Sequence, residues 1–263
     1  MYKRSSIFWG VLLIILAALL LLREIEYLPG SVWDYFWPAA LILVGVWMIV
    51  GYFFRGRTAP PENISVDLGS ARSVSFKLNH GAGKLNLHAG AAAGNALSGS
   101  CRGGLEVQSE TEDDRLEVKL RVPSQFWEWS PGRGLDWDLA LTGEVPLKLK
   151  INSGASSAAL DLADLLVTDL KLETGASSTE ITMPARAGNT LADINAGVSS
   201  LKISIPNGVA ARIRVKSGMT SVQVDSARFP RLEGDVYQSA DYAAANNRAD
   251  ITLEAGMGSI EIK

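Results

Sequence analysis

Four tetrads decide the reading of this chain: Gly154-Ala155-Ser156-Ser157, Gly175-Ala176-Ser177-Ser178, Gly197-Val198-Ser199-Ser200 and Gly218-Met219-Thr220-Ser221, with glycines 21, 22 and 21 residues apart. Gly81 and Gly256 extend the series on either side. Three residues before each of the six glycines stands Leu78, Ile151, Leu172, Ile194, Val215 or Leu253. Five before stands Phe76, Leu149, Leu170, Ala192, Ile213 or Ile251, and six after stands Leu87, Leu160, Ile181, Ile203, Val224 or Ile262. All eighteen positions are apolar. A fixed period of this kind marks a repeat architecture.

The offsets say what one repeat is. Apolar residues at −5 and −3 alternate with polar ones, as do those at +4 and +6, so each unit holds two half-buried strands. The step from −3 to +4 is odd, and the alternation therefore slips by one at the glycine. A corner or bulge does this, and glycine supplies the positive φ such a corner often needs. Gly81, Gly154, Gly175, Gly197, Gly218 and Gly256 are thus expected corners. Stacked strand–corner–strand units predict an all-β, solenoid-like domain in which neighbours bury each other's apolar rows. A β-sandwich or curled antiparallel sheet with a recurring hairpin is the alternative. The column Ser157, Ser178, Ser200, Ser221 and Ser259 reads as small polar residues satisfying backbone groups at tight bends.

Two excursions break the series. Between Gly81 and Gly154, Leu105-Glu106-Val107 and Leu116-Glu117-Val118-Lys119-Leu120 flank an acidic turn and predict a hairpin. The aromatic segment Phe126-Trp127-Glu128-Trp129-Ser130-Pro131-Gly132 follows, with Trp137 returning beyond its turn. Phe126, Trp127, Trp129 and Trp137 are the candidate partner-binding residues, since Trp is over-represented at protein contacts and membrane interfaces. A second excursion, between Gly218 and Gly256, contains Tyr237-Gln238-Ser239-Ala240-Asp241-Tyr242.

The N-terminal region is different in kind. Residues 5–22 and 35–54 are uncharged and apolar, long enough at about 1.5 Å per residue to approach or cross a hydrocarbon core of ~30 Å. They predict a two-helix transmembrane hairpin over residues 1–57, a Pro-bearing linker over 58–63 and an all-β domain over 64–263. Leu22 is followed by Arg23-Glu24-Ile25-Glu26, which lacks the small-residue pattern of a signal-peptide cleavage site. Lys3 and Arg4 precede the first run and Arg55 and Arg57 follow the second, whereas the loop between carries Arg23 against Glu24, Glu26 and Asp34. The positive-inside rule then puts both termini and the β-domain in the cytoplasm. The spans carry no charge, so they read as an anchor rather than an ion path.

Composition narrows the function. The 263 residues carry 25 Lys+Arg against 28 Asp+Glu, for a net charge of −3, which disfavours a partner bound through phosphate neutralisation; no nucleic acid is expected. One Cys and two His leave little for a disulfide framework or a transition-metal site, so no metal and no cofactor is expected. Gly81-Ala82-Gly83-Lys84 lacks the earlier glycine and the following Ser or Thr of a phosphate loop. Gly99-Ser100-Cys101-Arg102-Gly103 imitates a nucleophile elbow but has no strand-to-helix context, and a buried thiol is expected. His80 and His88 flank a corner and read as surface or turn residues. Asp136 and Asp138 read as solvated flanks of a turn. No enzyme is expected.

The same residues carry a resemblance. The two-span hairpin with its acidic loop resembles the membrane region of LiaF-like proteins, the bacterial cell-wall-active antibiotic response family. Val145-Pro146-Leu147-Lys148-Leu149 leading into Gly154-Ala155-Ser156-Ser157 and Leu160-Asp161-Leu162-Ala163-Asp164-Leu165 resembles that family's C-terminal domain and the related toastrack-type, adhesin-like domains. So do Gly197-Val198-Ser199-Ser200 with Ile203-Ser204-Ile205-Pro206, the stretch from Tyr242 to Arg248, and Gly256-Met257-Gly258-Ser259-Ile260-Glu261-Ile262. The resemblance implies a membrane-bound regulator of envelope-stress signalling that contacts a sensor kinase or related membrane protein. It brings no catalytic or ligand residues. A self-assembling, membrane-tethered β scaffold is the alternative, because the outer rungs of a stack have unpaired edges and allow a homo-oligomer. An envelope glycan-binding module is the second alternative, and it would need the domain outside the cytoplasm.

Overall fold

The computed structural model describes residues 61–123 and 135–263, together with residues 33, 37, 38, 41, 42 and 45, which are helical. Among the described residues no helix is long and apolar enough to cross a membrane, and the runs at 5–22 and 35–54 lie almost wholly outside them. One compact unit comprises Ala59–Pro123 and Gly134–Lys263. Its described residues form β1 (Glu62–Asp67), β2 (Ser73–Ala89), β3 (Asn95–Arg102), β4 (Glu106–Glu112), β5 (Arg115–Arg121), β6 (Leu135–Leu141), β7 (Leu147–Asp161), β8 (Val167–Thr182), β9 (Asn189–Ser204), β10 (Ala210–Val224), β11 (Val236–Gln238) and β12 (Arg248–Ile262). β1 opens inside the stretch read as a linker.

Six strands of 15 to 17 residues, β2, β7, β8, β9, β12 and β10, lie side by side in that order, all parallel and in register. The repeats therefore pair with one another in parallel rather than as hairpins. Parallel pairing fixes their shape. A straight strand of 15 residues would span about 50 Å. Yet β7 and β8 begin side by side, Leu147 opposite Val167, and only residues 162–166 join the end of one to the start of the next. Such a connector reaches roughly 20 Å. Each long strand must therefore double back, and its two legs enclose the core.

The bend falls at the glycines. Burial alternates inward at −5 and −3 on the first leg and at +4 and +6 on the second, and both rows join one apolar cluster. In each neighbouring pair the ladder skips the glycine: Ser153 opposes Thr174 and Ala155 opposes Ala176, with Gly154 and Gly175 unpaired between them. The expected positive φ is absent at all six corner glycines. Glycine is required there because the stacked backbones approach closely. A Cβ on Gly154 would sit 2.7 Å from the Gly81 carbonyl oxygen, and one on Gly197 2.9 Å from that of Gly175. Positive φ occurs instead two residues on, at Gly83 (141°) and Gly258 (135°), in the two repeats that read Gly-x-Gly.

Chain order and stacking order differ at one end. β12 inserts between β9 and β10, so the Gly256 repeat stacks on the Gly197 repeat and the Gly218 repeat lies outermost. At the other end the two legs of β2 part company. Its first leg pairs with β5, which carries β4 as the expected hairpin, and its second leg pairs with β6, followed by β3 and β1.

Candidate functional site

Parallel, in-register pairing turns equal offsets into rows across the sheet. On the outward face of the first legs, four strands deep, Lys119, Lys77, Lys150 and Lys171 stand directly opposite one another. Like charges in such a row repel. Glu117 bridges Lys77 at 2.8 Å and Lys119 at 3.2 Å, which holds its carboxyl below the usual carboxylate range, and Glu173 pairs with Lys171 at 3.0 Å. Lys148, two residues before Lys150, pairs with Asp169 at 3.2 Å. Lys150 has no ion pair among the described residues, so the row keeps an unpaired ammonium at its middle. Lysine stands at offset −4 in three successive repeats, as Lys77, Lys150 and Lys171, on the outward phase that the apolar offsets leave unmarked.

An open groove of about 1110 Å³ follows the bend across the stack. Its floor is the glycine column, and its rim in sheet order is Asn79, Asn152, Glu173, Asn195, Glu254 and Lys216. The rim is internally bonded in places: the Asn152 amide donates to Asn79 Oδ1 at 2.9 Å, and Lys216 donates to Glu254 at 2.7 Å. Ser153 and Ser156 bond each other across the corner. These groups donate and accept hydrogen bonds, and among the described residues of the groove no nucleophile is held against a base.

At the β2 end the groove meets His80, which is buried rather than a surface residue. The inward alternation of the first leg, Phe76 at −5 and Leu78 at −3, continues to position −1, so the imidazole is enclosed. Its Nε2 lies 2.9 Å from the Leu135 carbonyl oxygen, the position of an N–H donor, and its ring meets Trp137 edge-on with centroids 4.9 Å apart. Burial lowers the His80 pKa, against smaller opposing effects of that hydrogen bond and of Asp136. Among the described residues, His80 Nδ1 and Trp137 Nε1 are buried without hydrogen-bond partners.

The candidate residues fare differently. Trp137 is 1% exposed on the inward phase of β6, so it is a core residue and forms no part of an exposed aromatic patch. Phe126, Trp127 and Trp129 lie outside the described residues. The six corner glycines come together as the column flooring the groove. Cys101 is buried in β3, and burial raises its thiol pKa, with the Glu62 charge adding to the effect. His88 is half-exposed with Nε2 3.5 Å from Asp138. Among the described residues no group of three or more His, Cys, Asp or Glu is placed to hold a metal ion.

The comparisons with known proteins agree with this geometry. Residues 7–49 match the LiaI-LiaF-like transmembrane region. Residues 55–204 match the family described as the N-terminal domain of toast_rack, DUF2154. No curated protein matches the chain. Among solved structures, a protein from Clostridium sporogenes, provisionally described as a cell adhesion protein, is 20% identical, with a TM-score of 0.70 over 78% of this chain and 99% of its own. A provisionally described adhesin from Bacteroides fragilis covers 78% of this chain and 98% of its own at 10% identity, with a TM-score of 0.29. The first likeness is one of fold, and the second carries no argument. The stretch matched by the family is more than half of the chain and includes the stacked repeats from β2 to β9; the chain belongs to the toast_rack family and carries a LiaI-LiaF-like transmembrane region before it.

Proposed function

We propose that this protein is a membrane-anchored, non-enzymatic regulator of envelope-stress signalling that acts by contact with a membrane sensor kinase or a related membrane protein. The observation that carries the reading is the pairing of a LiaI-LiaF-like membrane region with a toast_rack β unit on one chain. The two hydrophobic runs hold the chain in the bilayer as a helical hairpin. The β-domain, a short solenoid of doubled-back strands, stands on the cytoplasmic side with both termini, as Lys3, Arg4, Arg55 and Arg57 favour. Its groove, its lysine row and the segment bearing Phe126, Trp127 and Trp129 are the surfaces offered to the partner. In this reading the domain has no cofactor and turns over no substrate.

The test is in the cell of origin. Tagged full-length protein, cross-linked in the membrane and purified, should carry a sensor kinase with it, and deleting the protein should change the output of an envelope-stress reporter at least severalfold. Recovery of no kinase together with an unchanged reporter would overturn the proposal.

A further inference from the structure

The outermost repeat is unfinished. β11 covers only the first leg of β10, pairing with Arg212, Ile213 and Arg214, and one further hydrogen bond runs from the Val215 N–H to the Asp235 carbonyl. From Lys216 to Val224 the strand pairs with β12 on one side and, among the described residues, with nothing on the other. The core is open at this place. Positions +4 and +6 are buried in the neighbouring repeat, as Ile260 and Ile262, but the equivalent Val222 and Val224 are only half-buried. Beside them an apolar stripe at position +1, alanine in the first three stacked repeats, widens to Val198, Met257 and Met219, which are 57%, 47% and 75% exposed.

We propose that this second leg of β10 is the docking edge for a second copy of the same chain, joined antiparallel about Ser221 as a closed pair. Ser217-Gly218-Met219-Thr220-Ser221-Val222-Gln223-Val224 contains no charge and no proline, so it lacks the devices that keep an edge strand single. Its flanks have opposite signs, Lys216 before and Asp225 after. With Ser221 opposite Ser221, Lys216, which also pairs with Glu254, falls opposite Ser226 of the second copy, one position from its Asp225, whereas parallel in-register pairing would set like against like. In the same register Thr220 of the second copy faces Val222 and Gly218 faces Val224, so the added strand lays its backbone and the Thr220 methyl over the half-covered row. The outer strands elsewhere in the sheet do not match. β4 carries Glu106, Glu110 and Glu112, β1 carries Glu62 and Asp67, and β11 is three residues long. One bare edge used by both copies closes with two-fold symmetry and leaves nothing for open growth. The pair does not depend on any kinase contact.

The full chain in detergent micelles tests this by sedimentation and by cross-linking. The protein should behave as a dimer. Ser221→Lys, on the exposed face of the strand, places two ammonium groups together at the two-fold and should raise the dimer dissociation constant at least tenfold. Because Cys101 is buried, Ser221→Cys treated with copper phenanthroline as oxidant should yield a covalent dimer and no larger ladder. A monomer at all concentrations, a dimer that survives Ser221→Lys without Ser221→Cys cross-linking, or a ladder of higher oligomers would each overturn the proposal. Should Ser221→Lys fail to fold, the cross-linking result decides alone.

Discussion

At the residue scale, the sharpest demand is for the absence of a side chain. The glycine column is held together by backbone approach, so the cost of a methyl group should follow the distance to the carbonyl stacked beside it. Gly154→Ala, with the Gly81 oxygen 2.7 Å from the new Cβ, should lose about 1–3 kcal/mol, and Gly175→Ala, with 3.2 Å to the Gly154 oxygen, less than about 1 kcal/mol. Gly258→Ala should be worst, because its Cβ would run into the Ser199 carbonyl at a φ of 135°. Urea unfolding midpoints would rank the three, and equal losses would remove the argument. Gly94 contrasts with these three. It has open space around it but a φ of 80°, so a side chain there meets backbone strain of ~1–2 kcal/mol without a clash. His80 yields a prediction in pH. Its folded pKa lies below the ordinary 6.5, so the unfolded chain takes the proton first as pH falls. Its contribution to stability is therefore fully present above about pH 6.5 and is lost progressively as pH falls below that value toward the folded pKa. Thermal melts of the wild type against His80→Gln between pH 7 and pH 5 should converge as pH falls, and parallel curves would show that folding does not lower the pKa of this imidazole.

At the element scale, the consequential placement is that of β12. It is the last strand of the described chain yet lies inside the sheet, bonded on both sides over nearly its whole length. A stop codon after Asn247 should therefore do more than shorten the stack. β10 and β11 would lose the strand that joins them to β9 in the sheet, and limited proteolysis should cut throughout residues 205–247 while leaving residues 61–123 and 135–204 resistant. Confinement of cleavage to the new terminus would show that β10 can take the place of β12. This insertion also marks how far the sequence could be read. The period, the two legs per repeat, the slip of alternation at each glycine and the hairpin of β4 and β5 are all local, and the apolar offsets expose them. Stacking order is not local: Gly218 and Gly256 repeats carry the same offsets, and nothing in either says which one adjoins Gly197. The contact of Trp137 with His80 was hidden for the same reason, since it depends on β6 and the first corner meeting across 55 residues of chain, whereas the inward phase of His80 follows from the alternation of Phe76 and Leu78 before it. The lysine row stands in the sequence at offset −4, but outward positions vary more than inward ones, and only the parallel register turns those lysines into neighbours.

At the scale of the whole molecule, the open question is which side of the membrane the β-domain faces, and the structure turns it into a labelling experiment. The chain has one cysteine, and Cys101 is buried in β3 with its thiol pKa raised by burial, so the native protein should react poorly with maleimides while folded. A cysteine placed at Glu112, an exposed residue at the end of β4 in a hairpin with few apolar contacts on its outer face, would then report alone. In the topology proposed from the positive residues at 3, 4, 55 and 57 and the acidic loop between the hydrophobic runs, that hairpin would lie in the cytoplasm. In protoplasts with a sealed membrane, a membrane-impermeant maleimide should leave Glu112→Cys unlabelled, and opening the membrane with detergent at a concentration that keeps the domain folded should label it fully. The wild type should stay unlabelled in both conditions and so reports on Cys101. Labelling of Glu112→Cys before the membrane is opened would put the domain outside, where a cytoplasmic kinase surface is out of reach and the glycan-binding alternative gains the ground the regulator loses.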